Sequence, residues 1–224
     1  MFNKEIHPLN QLEFPDTREK WKNAPIEITI NQLLIDGHPV METWEDAYMK
    51  QLAAIAASSG GVVLEVGFGL GISAAFIQEH SVSEHWIIEA NASVFKNLLE
   101  FNEIYPNVKP LFGFWQEVTP PLPDASFDGI LFDTYPISQD ELHTARFSFF
   151  AEAYRLLKPG GVFTHYSGEV EFTSEYKGLL NDAGFAEFTG DLVDVSPPAG
   201  CLYWDEKHLL APRIIKGNSE TRAM

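Results

Sequence analysis

Five short apolar runs, VVLEV (62–66), HWIIE (85–89), VKPLFG (108–113), FDGILFD (127–133) and GVFTHY (161–166), alternate with stretches of helical spacing at 71–80, 93–102, 141–157 and 174–184. Near-continuous apolar strands are those buried on both faces, so the alternation predicts an α/β fold whose parallel sheet is covered by helices on both sides. Two further strands, 185–195 and 201–215, joined through SPPAG, predict an antiparallel end. The expectation is a seven-stranded, mostly parallel sheet with an antiparallel last strand. Upstream, residues 39–58 (PVMETWEDAYMKQLAAIAAS) read as a helix with Pro39 at its first position and Gly60-Gly61 past its end. Residues 1–40 carry Pro8, Pro15, Pro25 and Pro39 and read as an N-terminal arm with one short strand or helix in EITINQLL. The organisation expected is an arm and lid over 1–40, one domain over 41–216 and a flexible tail over 217–224.

The turn after the first strand narrows the function. VGFGLGIS places Gly67, Gly69 and Gly71 between strand and helix, where bare backbone approaches a ligand and a helix N-terminus faces it. A dinucleotide fingerprint has its third glycine where Ile72 stands, so a dinucleotide, an S-adenosyl group and a purely structural turn all remain open. Glu89 closes the next strand, where a carboxylate accepts both ribose hydroxyls of a nucleoside. Trp115, in GFWQE, stands at the ligand edge of the third strand. LLKPGGVF (156–163) precedes the fifth.

Charge and composition limit the partners. The 224 residues suffice for one sizeable domain, and 15 Lys+Arg against 32 Asp+Glu give a net charge of −17. That balance argues against nucleic acid and suits a small cationic substrate, or serves solubility alone. Cys201 is the single cysteine, which excludes an internal disulfide. No metal site is expected, since His85, His143 and His165 are scattered. The N-terminus lacks an apolar signal core and no run reaches membrane-spanning length, so a cytoplasmic protein without a membrane partner is expected.

FDTYP (132–136) sets Asp133 at a strand tip, and Met41, Glu45 and Met49 fall at i, i+4, i+8. From spacing alone Glu45 is either a carboxylate held between two methionines or a solvated residue beside two core ones.

The order LEVGFG, IIE, FDGILFD, LLKPGG resembles the class I S-adenosylmethionine-dependent methyltransferases, with their Rossmann-like fold. More narrowly, GHPVMETWEDAYM, EHWIIEAN, FDTYP and SPPAGC resemble guanidinoacetate N-methyltransferase. The resemblance implies that Glu45 and Asp133 grip a guanidinium group and act as the catalytic pair. It implies that Met49, Phe68, Gly69, Leu70, Gly71, Ile72, Ser73, Glu89, Ala90, Asn91, Trp115, Gln116 and Asp133 bind S-adenosylmethionine. It also implies that Trp21 closes over the site and Met41 touches the acceptor. Two departures stand out: Gln116 replaces the family's acidic residue, and HYSGEVEFTSEY replaces the segment whose amides hold the acceptor's carboxylate, leaving Ser167 and Gly168 in its place. The FWQ piece and the closing YWDEKHLLAPRI resemble the fungal arginine δ-N-methyltransferases. The resulting expectation is an N-methyltransferase of a small guanidino compound, guanidinoacetate-like. Arginine or a heteroaromatic nitrogen is the alternative acceptor, and a non-catalytic S-adenosylmethionine-binding protein is the alternative of another class.

Overall fold

The structure, a computed structural model, describes Phe14, residues 17–138, Glu141 and residues 144–218. The remainder of the arm and of the tail, together with His143, lies outside the described residues.

The arm is regular where it is described. Helix α1 (Arg18–Asn23) is capped by Thr17, whose hydroxyl accepts from the Lys20 amide. An antiparallel meander follows: β1 (Ile26–Ile28), β2 (Gln32–Ile35) and β3 (His38–Glu42). The helix expected over 39–58 is therefore corrected. Asp36 (φ 52°) and Gly37 (φ 79°) both take left-handed conformations between the paired Ile35 and His38, the two-residue hairpin turn that an Asp-Gly pair favours. That turn commits residues 38–42 to a strand. A 3-10 turn (Thr43–Glu45) then leads into α2 (Asp46–Ala56). Met41, Glu45 and Met49 thus stand on a strand, a 3-10 turn and a helix rather than on one helical face. Strand β3 crosses the expected boundary at residue 40.

The main sheet comprises β4 (Gly61–Val66), β5 (Val82–Glu89), β6 (Val108–Phe112), β7 (Phe127–Phe132), β8 (Leu157–His165), β9 (Glu187–Asp194) and β10 (His208–Ile215), in the order β6-β5-β4-β7-β8-β10-β9. β10 runs against both neighbours and the other six share one direction. The antiparallel strand is therefore one place in from the edge, which β9 occupies. Helices α3 (Ile72–Gln78), α4 (Ala92–Ile104), α5 (Trp115–Val118), α6 (Ala145–Ser148), α7 (Phe150–Leu156) and α8 (Ser174–Asp182) complete the covering layers. The single helix expected over 141–157 is two short ones broken at Phe149, and Leu157 already pairs with Phe127 as the start of β8. Two apolar layers result: one on α2 and α3 around Val63, Ile77 and Leu131, the other on α7 and α8 around Ile130, Phe132 and Phe163. No helix among the described residues is long and apolar enough to cross a membrane.

β4 sits where the strand order reverses, between β5 and β7. Open α/β sheets bind ligands in the crevice beyond their strand C-termini at such a point.

Candidate functional site

The C-terminal ends of β4, β5, β6 and β7 open into a cavity of about 250 Å³, roofed by the arm and by the loop before β10. Gly67 and Gly69 form its floor. Gly67 permits the closest backbone approach in the site: a β-carbon there would stand 1.8 Å from the Asp133 carbonyl oxygen. The strand β7 thereby delivers Asp133 directly beside the glycine turn, with the Asp133 amide bonded to the Val66 carbonyl at 2.9 Å.

Two carboxylates dominate the chemistry. Glu45 is only 3% exposed, and its Oε2 accepts from the Glu42 amide at 2.8 Å. Burial, then the nearby charge of Asp133, pushes its pKa up to about 8. Asp133 is partly buried, and burial with the charge of Glu65 pushes it up to about 7. The Tyr203 hydroxyl steadies the ionised Glu45, whereas burial raises the tyrosine's own pKa well above its ordinary value. The Tyr166 hydroxyl is enclosed on the cavity wall without a hydrogen-bond partner. Trp204 lines the same side.

A third carboxylate, Glu89, ends β5. It accepts from the amides of Phe68 (3.1 Å) and Asn91 (2.6 Å), which hold it still at the cavity wall. Burial raises its pKa and these backbone donors oppose the rise. The amides of Gly69 and Ala90 also favour its ionised form, so the carboxylate stands as a fixed acceptor on the cavity wall. Beyond β6, Phe114, Trp115 and Gln116 form an apolar wall. Gln116 Oε1 is buried there without a hydrogen-bond partner. A buried acceptor left unpaired is costly, and a donor group on a bound ligand relieves the cost.

The cofactor expected from the glycine turn is tested by these groups. A glycine floor, a fixed carboxylate at the neighbouring strand tip and an orphan acceptor on an apolar wall fit a nucleoside joined to an amino-acid chain. A family model, guanidinoacetate N-methyltransferase, matches residues 11–175. The chain belongs to the guanidinoacetate N-methyltransferase family. Among similar curated proteins are two named protein arginine N-methyltransferase 2. That of Yarrowia lipolytica is 36% identical over 138 residues, covering 58% of this chain and 28% of its own length. That of Candida glabrata is 32% identical over 164 residues, covering 69% and 38%. The match thus spans less than two-fifths of these relatives. Solved structures of the same fold include spermidine synthase from Thermotoga maritima (TM-score 0.62, 17% identity, 88% of this chain and 74% of that one). Another is a Burkholderia thailandensis didemethyltoxoflavin N1-methyltransferase (TM-score 0.56, 20% identity, 78% and 80%).

The residues singled out in the sequence divide into two groups. Trp21, Met41, Glu45, Gly69, Glu89, Ala90, Trp115, Gln116, Asp133 and Gly168 line the cavity. Met41 reaches it from β3, its sulfur accepting from the Leu70 amide at 3.3 Å. Trp21 lies flat on Tyr135, with ring centroids 5.5 Å apart. The other group builds the scaffold of the site, with side chains turned away from the cavity. Met49 is fully buried in the core under α2. Phe68 packs edge-on against Phe101. Leu70 and Ile72 lie against apolar core, and Gly71 caps α3 in a left-handed conformation. The Ser73 hydroxyl donates to Glu65. Asn91 caps α4 and donates to the carbonyls of Trp21 and Ala24, each at 3.0 Å. Ser167 donates from its hydroxyl to the Leu210 carbonyl (2.7 Å) and from its amide to the Tyr48 hydroxyl (3.1 Å). Sequence reasoning missed Tyr135, Tyr166, Tyr203 and Trp204. Only their position next to FDTYP, HYSG and SPPAG signalled them.

Proposed function

We propose that this chain methylates a guanidino nitrogen of a small, guanidinoacetate-like molecule. The observation that carries this reading is the pair Glu45 and Asp133 lining one cavity, both raised by burial, with the charge of Asp133 adding to the cost of ionising Glu45. Two anions held together out of water are unfavourable unless a cation lies between them. A guanidinium is planar, always protonated in water, and offers several N–H donors to two carboxylates at once.

When bound, S-adenosylmethionine supplies the methyl group, carried on a sulfonium that leaves as a neutral thioether. Glu89 would hold its ribose hydroxyls, Gly67, Gly69 and Ala90 its chain, and Trp115 and Gln116 its base. Gln116 Oε1 suits an exocyclic amino group as well as the family's carboxylate does. The protein's own task is to make a poor nucleophile attack. Asp133, hydrogen-bonded to one guanidinium N–H, concentrates the lone pair on that nitrogen. As the nitrogen–carbon bond forms, that proton becomes acidic and passes to Asp133. Glu45 stays ionised and balances the charge remaining on the other nitrogens. Alignment in a cavity closed by Trp21 supplies much of the rate, since well-oriented reactants reach effective concentrations of about 10⁵ M or more. With Ser167 engaged by Tyr48 and Leu210, Gly168 is left to meet the acceptor's tail.

Release of S-adenosylhomocysteine with guanidinoacetate, free arginine, an arginine peptide and a heteroaromatic amine tests the reading. Turnover confined to guanidino compounds is expected, guanidinoacetate foremost. Turnover with the heteroaromatic amine alone overturns it. Cofactor binding without turnover on any acceptor favours a binding protein instead.

A further inference from the structure

One buried charged cluster has no part in the mechanism above. Glu65, on β4, is 0% exposed, and so is His85 on the neighbouring β5. His85 Nε2 stands 2.9 Å from Glu65 Oε2, while Ser73, in the first turn of α3, donates to Glu65 Oε1. Gln78, one helical turn further along α3, holds the other face of the imidazole, 3.0 Å from Nδ1. Burying an acid, a base, a hydroxyl and an amide together in an apolar layer is expensive, and a plain helix–sheet contact needs none of them.

The sheet register gives the cluster a direction. Glu65 pairs with Leu131 in the parallel β4–β7 ladder, and Asp133 lies two residues beyond Leu131. With the period of two along a strand, Asp133 projects from the same face as Glu65, one diagonal step away. The intervening backbone is tight, Gly67 meeting the Asp133 carbonyl. Asp133 is thus approached by Glu65 from β4, by Glu45 from the 3-10 turn and by the Tyr166 hydroxyl from the end of β8.

We propose that Glu65 is a positioning residue that acts through Asp133, its fixed negative charge keeping that carboxylate a better proton acceptor. Ser73 and His85 lock Glu65 in place beneath the site, and Gln78 fixes the ring. The tie between Glu65 and Ser73 also joins β4 to the first turn of the helix behind the glycines. The charge of Glu65 raises the pKa of Asp133, second only to burial. This inference rests on Asp133 being the proton acceptor.

The test follows the binding of methylguanidinium, a cation without a tail, to enzyme loaded with S-adenosylhomocysteine across pH 5–9. It compares the unaltered protein, Glu65→Gln and Asp133→Asn. Glu65→Gln keeps the shape and an acceptor for Ser73. It is expected to move the lower acid midpoint of binding down by about one pH unit, the size of a removed neighbouring like charge. Both Glu45 and Asp133 ionise in this range, so the unaltered protein is expected to show two acid midpoints and Asp133→Asn only the one left by Glu45. Two midpoints surviving in Asp133→Asn sink the role of Asp133. A lower midpoint lost in Asp133→Asn yet unmoved in Glu65→Gln sinks the inference alone. Should Glu65→Gln fail to fold, the unaltered protein still decides. Its His85 ring-nitrogen NMR signals are expected to show an inflection at the Asp133 midpoint, absent in Asp133→Asn. A His85 signal blind to Asp133 overturns the coupling.

Discussion

On the proposed mechanism Glu45 and Asp133 trade stability for function, and pH exposes the trade. Both carboxyls have folded-state pKa values raised above the unfolded range, to about 8 and about 7. The sign is therefore that of a stabilisation fully present below about pH 4 and lost as pH rises through 7–8. The free enzyme should melt at lower temperature at pH 8.5 than at pH 6, and a guanidinium ligand should restore the difference. Glu45→Gln should raise the melting temperature of the free enzyme at pH 8.5. One pKa unit is about 1.4 kcal/mol, or about 3–6 °C for a chain of this size. A lower melting temperature would show that Glu45 is not held at a cost. Activity runs the other way. The kcat/KM value should fall on the acid side with midpoints belonging to the pair, and kcat should hold to lower pH because the bound cation favours both ionised forms. Asp133→Asn should lower kcat by about 10²–10⁴-fold, as for a lost general base, and near-normal turnover in that variant excludes the mechanism. Glu89 and Asp133 stood out in the sequence because a carboxylate at a strand tip is conspicuous, whereas spacing left Glu45 open and only the family resemblance singled it out. Met49, Phe68, Ser73, Asn91 and Ser167 turn their side chains into scaffold contacts rather than the cavity, for a physical reason. A residue in a ligand-binding turn has two sides, and sequence does not say which one its side chain takes.

Helix α1 shows how much of the site is assembled by elements remote in sequence. It is tied to three loops, each following a strand of the main sheet. After β5, Asn91 donates to its carbonyls; after β6, Glu117 pairs with Lys22 at 2.9 Å; after β7, Tyr135 stacks on Trp21. Glu89, Trp115 and Asp133 stand in or beside these connections, so on the proposed mechanism filling the cavity also fastens the helix. S-adenosylmethionine with acceptor should slow proteolysis within residues 24–31, and Asn91→Ala should speed it while weakening cofactor binding several-fold. Equal cleavage with and without ligands counts against closure. The strands from 61 to 195 and the helices α3, α4 and α8 could be read from the sequence to within a few residues because their periodicity is strong, whereas the four-residue α5 is too short to show one. The hairpin of β2 and β3 was hidden by a competing helical pattern starting at Pro39, and the Asp36-Gly37 turn decided it. The break between α6 and α7 leaves no such mark, as the run from Thr144 to Leu156 keeps helical spacing throughout.

At the scale of the whole molecule, 32 acidic residues against 15 basic ones surround a cavity whose working groups are themselves carboxylates. Field lines from such a surface concentrate cations at the mouth. Raising ionic strength from about 0.01 M to about 0.5 M should lower kcat/KM several-fold for a guanidino acceptor with net positive charge, because salt shortens the reach of the field. A zwitterionic acceptor should respond far less. Equal salt slopes for both would reduce the charge to a solubility device. The sheet order, with its reversal at β4, follows from strand–helix alternation and right-handed crossovers. The insertion of β10 between β8 and β9 does not, because alternation is silent about where a terminal hairpin docks.

That insertion bears on how the chain is made. Among the described residues β10 is the last strand in chain order, yet it fills an interior slot, and β9 reaches the rest of the sheet only through it. While residues 208–215 are still inside the ribosome, β8 carries an open edge that no other strand among the described residues pairs with. Such an edge is a template for pairing with another chain. The nascent protein therefore passes through a window in which five strands and the cofactor floor are assembled but the sheet is still adhesive. The window closes only when the last strand emerges.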